Sequence, residues 1–168
     1  ADGAVTSAKL SAGKVLQVVS TTKTDTFSSS STSYADVTGI SVAITPSSTN
    51  NKILVLVNFN ASVTATDNWH AYQILRGATA INNGDAASSR TVASVGTALL
   101  TATGSGNVID NFSINYLDSP STTSATTYKL QGKVQSGQSF VINRSDLDGD
   151  ASYGLRTAST ITVMEIAG

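Results

Sequence analysis

The sequence has no cysteine, one histidine, one tryptophan and one methionine, and Glu165 is the only glutamate among 11 acidic residues. Without cysteine there is neither a disulfide nor a thiolate metal site, so packing or contact between subunits must hold the fold. Charged residues make up 12% of the 168 positions, against a usual figure of roughly 25%. The formal net charge is −1 and no basic stripe is present, which argues against nucleic acid or an acidic membrane surface as partner. No apolar run approaches the roughly 18 residues of a spanning helix, so membrane insertion is not expected. The N-terminus lacks the basic and apolar regions of a signal peptide. Prolines number two, Pro46 and Pro120.

In place of charge the chain carries 25 serines and 23 threonines. Threonine, valine and isoleucine suit strands, whereas serine, glycine and asparagine suit turns. Period-2 alternation recurs along the chain. In GISVAITPSS, Ile40, Val42 and Ile44 alternate with small polar residues until Pro46 removes a ladder donor. In NKILVLVNFNASV, one face reads Ile53, Val55, Val57, Phe59, Ala61, Val63, and the other reads Leu54, Leu56, Asn58, Asn60, Ser62. A strand apolar on both sides over its first half is expected to be central.

WHAYQILRG, FSINYL, TYKLQGKVQ, SFVINR and STITVMEI continue the pattern, and Asn83-Gly84 marks a tight turn. TYKLQGKVQ sets Tyr128, Leu130 and Val134 against Lys129, Gln131 and Lys133. No stretch has a convincing helical period; TSAKLSAGK is too short to stand alone. The expectation is an all-β protein of eight to ten strands, an antiparallel sandwich or jelly roll. A TNF-like jelly roll and a simpler sandwich both fit. Residues 1–13 and 85–107 are small, polar and linker-like, so the chain divides into an arm, 1–13, and a head, 14–168.

Few residues offer chemistry. His70 has no nucleophile or carboxylate at a useful spacing and reads as a strand side chain beside Trp69. No zinc, nucleophile-elbow, phosphate-loop or dinucleotide motif occurs, and no enzyme or cofactor is expected. SDLDGDAS places Asp146, Asp148 and Asp150 within five residues, in the manner of an oxygen-rich cation loop. Counting Asp146 as first, its glycine is fourth and position twelve is Thr157, so the calcium-loop pattern fails and a hairpin tip is expected with no metal.

Trp69, in a stretch read as a loop before a strand, and Tyr153, in the polar turn DGDASYG, are the candidate receptor-binding residues, suited to stacking on a sugar. Asn58, Asn60 and Ser62 are expected to face solvent, or else to line a subunit contact.

Three stretches resemble a known family. DGAVTSAKL is similar to the short phrases that run along phage tail-fibre shafts. KVLQVVSTTKTDTFSSSSTSYADVTGISVAITPSSTNNKILVLV resembles the C-terminal head domain of tail fibres and virion structural proteins of marine phages and cyanophages. YLDSPSTTSATTYKLQ and STITVMEI resemble later parts of that domain. The resemblance implies a homotrimeric virion protein displaying a β-rich head for host attachment, with a surface glycan as receptor. Residues 1–13 would then be the end of a shaft that neighbouring chains cover and that meets other virion proteins. A capsid decoration module that never touches a host is the alternative. The family supplies no defined set of binding residues.

Overall fold

The computed structural model describes residues 12–63, 68–99 and 107–168. Most of the arm expected over 1–13 therefore lies outside the described residues. Gly13 is tied to the head, its N–H donating to the carbonyl of Ala167 at 2.8 Å.

The longest alternating stretch, β4 (Lys52–Val63), forms the centre of the first sheet, as its two-sided apolarity requires. One edge of β4 pairs with β8 (Asp110–Asp118) from Ile53 to Ala61. Its other edge is shared end to end by β11 (Ser159–Ile166) and β10 (Phe140–Ile142). Beyond them lie β1 (Val15–Lys23) on β11 and β2 (Phe27–Ser29) on β10.

The second sheet runs β3 (Ala35–Ile44), β9 (Thr126–Val134), β5 (Asn68–Arg76). β5 then holds β7 (Val95–Leu99) along its first half and β6 (Thr79–Ile81) along its end. Every pairing between these strands is antiparallel, and the two sheets enclose one core. The protein is an all-β antiparallel sandwich with eleven strands among the described residues.

Two expectations change. β7 lies inside 85–107, so that segment is part linker and part sheet. Trp69 is the second residue of β5 and sits on the sheet instead of in a loop before it.

Inward residues of β4 are all buried: Ile53, Val55, Val57, Phe59, Ala61 and Val63. At one end of the core Phe59, Tyr72, Phe112 and Phe140 form an aromatic cluster. Phe59 meets Tyr72 edge-on at 4.7 Å and stacks on Phe112 at 5.1 Å, and Tyr72 meets Phe140 at 5.4 Å. Pairs of this kind add about 1 kcal/mol beyond area burial. Gly132 on β9 makes room for them. A Cβ there would lie 2.7 Å from Phe140 Cζ and 2.8 Å from Tyr72 Cε1, inside van der Waals contact.

The opposite end of the core holds two carboxylates. Glu165 and Asp118 pair with the same residue, Ile53, from its two sides. Glu165 accepts from Gln17 Nε2 at 2.6 Å, from Ser47 N and Oγ at 2.6 and 2.8 Å, and from Asn51 Nδ2 at 2.5 Å. Burial pushes its pKa up, but the bonds from Asn51, Gln17 and Ser47 win and leave it at about 2. Asp118 accepts from Arg76 Nη1 at 2.8 and 3.0 Å and from Tyr128 O–H at 2.6 Å. Neither carboxylate keeps an exposed face for a substrate, at 1% and 3% accessibility.

Gly132→Ala is expected to destabilise the head by about 1–3 kcal/mol, as overpacking of a tight core does. Gly149→Ala, with nothing within 4 Å of the added Cβ, should stay within about 0.5 kcal/mol of wild type. Urea unfolding checks both, and equal midpoints for the two variants would refute the packing role of Gly132.

Candidate functional site

The outer face of the second sheet is the place where the chain departs from a plain sandwich. Residues 70 to 75 of β5 are buried on both sides. Inward, His70, Tyr72 and Ile74 join the core; outward, Ala71, Gln73 and Leu75 are covered. Part of the outer cover is the connection between β6 and β7. Gly84 N–H donates to Ala93 O at 3.1 Å, Ser94 N–H to Tyr72 O at 2.8 Å, and Tyr34 O–H to Val92 O at 2.6 Å. Those bonds hold residues 89–93 over the sheet and leave a groove of about 570 Å³ between loop and strands.

The floor of the groove is small side chains: Ala71, Gly96 and Ala98. Gly96 is required where it is, since a Cβ would lie 2.7 Å from His70 O and force β7 off β5. Trp69 forms one wall, and Ser89, Arg90 and Thr91 form the other. Lys133, opposite Ala71 across β9 and β5, carries its ammonium 5.3 Å above the Trp69 ring and 5.5 Å above the Tyr34 ring. A cation shared by two aromatic faces is held by their quadrupoles and fixes both rings.

Beside the groove a single hydrogen-bonded chain crosses the sheet. Ser94 Oγ–H donates to Asn83 Oδ1 at 3.0 Å, Asn83 Nδ2 to Gln73 Oε1 at 3.1 Å, and Gln73 Nε2 to Gln131 Oε1 at 2.9 Å. Gln131 Nε2 then donates to Asp36 Oδ1 at 2.7 Å, and Lys129 completes the end by binding Asp36 Oδ2 at 2.8 Å. Every amide is oriented by the one before it.

On the other side of β5 lies His70, 1% exposed. Its Nδ1 is 2.8 Å from Tyr72 Oη, and its Nε2 is 4.0 Å from Asp110 Oδ2 without a hydrogen bond. The carboxylate favours the proton on Nε2, so Nδ1 accepts from Tyr72 O–H. Burial pulls the imidazole down to about 4, and burial also raises Asp110. At neutral pH His70 is an uncharged core residue packed edge-on against Tyr72 and Phe112.

Of the two candidates from the sequence, Trp69 lines the groove and Tyr153 does not. Tyr153 lies 65% exposed in the connection from β10 to β11. Asp148 of that connection, at φ 50°, pairs with Arg156 and, at 3.8 Å, with Arg144. No group of three potential metal ligands gathers among the described residues. Asn58 is exposed as expected, but Asn60 is half-buried and Ser62 is buried; Asn111 Nδ2 links the two asparagines at 3.1 and 3.0 Å. Sequence reasoning missed Arg90 and Lys133, and Tyr34, one of several tyrosines able to stack on a sugar, was not singled out. Arg90 stood in a segment read as linker, and the register that sets Lys133 against Ala71 has no local signal.

The depressed His70 pKa has a sign. In the unfolded chain, near 6.5, the ring takes a proton before the folded one does, so stability present above pH 6.5 is lost as pH falls toward 4. The loss approaches roughly 3 kcal/mol. Asp110 works in the opposite sense, so the readout is the difference from His70→Gln, whose side chain accepts from Tyr72 without titrating. Urea unfolding across this range should show a steeper acid slope in wild type; identical slopes would refute the assignment.

No family model matches the chain, and no curated protein matches it. Among solved structures, one of the infectious bursal disease virus Gx strain is 14% identical with a TM-score of 0.46, covering 94% of this chain and 39% of that one. The VP2 subviral particle of infectious bursal disease virus is 16% identical with a TM-score of 0.44, covering 90% and 38%. The chain thus spans under two fifths of the length of these proteins.

Proposed function

We propose that the chain is the head of a virion appendage, a tail fibre or spike, that assembles as a homotrimer and presents the groove beside Trp69 to a host surface. The observation that carries this reading is the outer face of the first sheet. Across its four long strands the outward rows read Val18, Met164, Leu54, Leu117, then Ser20, Thr162, Leu56, Asn115, then Thr22, Thr160, Asn58, Ser113.

None of these twelve side chains carries charge. Val18 and Leu117 are more than half exposed, as is Val15 at the adjoining edge. Covering each such side chain stabilises by about 1 kcal/mol, and these uncharged rows, bordered on β4 by exposed Lys52, suit a partner surface equally poor in charge. A second copy of the chain meets that condition. The sequence resemblance to tail-fibre heads supports the same reading. In a trimer the groove occurs three times, so weak single sites gain by avidity.

Sedimentation at micromolar concentration is expected to give three times the monomer mass. Val18→Lys with Leu117→Asp should return the mass to that of a monomer while leaving the thermal midpoint within a few degrees. Wild type that stays monomeric would sink the assembly reading, and antibody label on the capsid wall instead of the tail would make the chain a decoration module.

A further inference from the structure

We infer that the groove between residues 89–93 and the second sheet takes an acidic saccharide, one bearing carboxylate or sulfate, and not a neutral one. The inference rests on the proposed function and specifies its ligand.

Shape comes first. A volume of about 570 Å³ falls within the roughly 300–1,000 Å³ of small-ligand pockets. Ala71, Gly96 and Ala98 give a floor without protruding side chains, flanked by the indole of Trp69. A pyranose ring lying on that floor would set its C–H face against the indole, with Ser89 and Thr91 hydroxyls at its rim.

Charge decides the class. Lys23, Arg76, Lys129, Arg144 and Arg156 each have a carboxylate within 4.0 Å. Arg90, Lys133 and Lys52 have none among the described residues, and Lys52, on the other sheet, donates to Ser119 Oγ instead. Arg90 and Lys133 border one groove, Arg90 as part of its wall and Lys133 above Trp69. Among the described residues no carboxylate lines it. Asp36, on the same sheet face, is already held by Lys129 and Gln131, and Asp85 of the loop lies outside the lining.

A neutral sugar would bring neither cation a carboxylate or sulfate acceptor. An acidic one supplies the acceptor that a guanidinium matches in two parallel bonds. Lys133, partly dehydrated between two rings, then adds a point charge at fixed position.

Trp69 is the only tryptophan, so tryptophan emission, excited selectively over the five tyrosines, reports on the groove. The full chain is titrated with three probes of equal length: an oligogalacturonate, a sulfated heparin-type oligosaccharide and a neutral malto-oligosaccharide. One or both acidic probes should shift the emission, and which of them does so distinguishes carboxylate from sulfate. Raising salt from 50 to 500 mM should weaken binding about tenfold or more.

Arg90→Gln and Lys133→Met should each weaken it about tenfold, a loss of about 1.4 kcal/mol. Lys52→Met, at the far sheet, should leave it unchanged, and calorimetry gives the same constants independently of the fluorophore. Equal binding of the neutral probe, insensitive to Arg90→Gln and Lys133→Met, would overturn the acidic specificity and leave the receptor reading standing. No response to any probe at millimolar concentration would overturn both the groove's ligand and its role in attachment, without touching the assembly of the head. Acidic binding by a protein that proves monomeric would keep this inference and sink the appendage reading.

Discussion

Strand β4 is the constraint on which the rest depends. It is paired along both edges, by β8 on one and by β11 and β10 on the other, and its inward face contributes six core side chains. Remove it and β8, β10 and β11 have no common neighbour. That position explains its composition. A strand paired on both edges and covered inward cannot carry charge inward, and two of its outward residues, Leu54 and Leu56, are still apolar. The uncharged outer rows proposed as an assembly face are therefore an extension of the same apolar run, continued sideways by Val18, Met164 and Leu117.

A chain poor in charge must place its buried charges with care. Glu165, Asp118 and Lys23 are each nearly inaccessible, and each is held by its own partners. Glu165 and Asp118 flank Ile53 in one row, about 10 Å apart by strand spacing. A pair of carboxylates at that separation invites a hydrolytic reading. Their surroundings argue otherwise. Glu165 ties the 46–51 turn and β1 to the last strand, and Asp118 ties β5 and β9 to β8 through Arg76 and Tyr128. They act as clamps between layers, in a protein with no disulfide to do so.

The class of fold was legible because period-2 alternation needs only local residues. β4, β8, β9 and β11 were all visible by inward residues such as Phe112, Ile114, Leu130 and Val163. What was not legible was specified by partners far along the chain. β7 is Val95–Leu99, a run of small residues with no hydrophobic rhythm, and it is a strand because β5 offers an edge that only Gly96 can approach. β2, β6 and β10 have three residues each, too few to show a period. The candidate site divides in the same way. Trp69 stood out as the lone indole, but Arg90, Lys133 and Tyr34 reach it only through sheet register and a loop folded back on the face. Tyr153 had the same local credentials as Trp69 and lacks that setting.

The chain of donors from Ser94 through Asn83, Gln73 and Gln131 to Asp36 has a bearing on how this surface can vary. Each amide in it both gives and receives, so turning one around opposes like atoms at two junctions at once. A replacement at Gln73 or Gln131 alone breaks two links, whereas a concerted change along the series can restore them all. Positions that a reader of the bare sequence would treat as interchangeable polar surface are thus tied to one another, and the direction in which they all point is set by one aspartate.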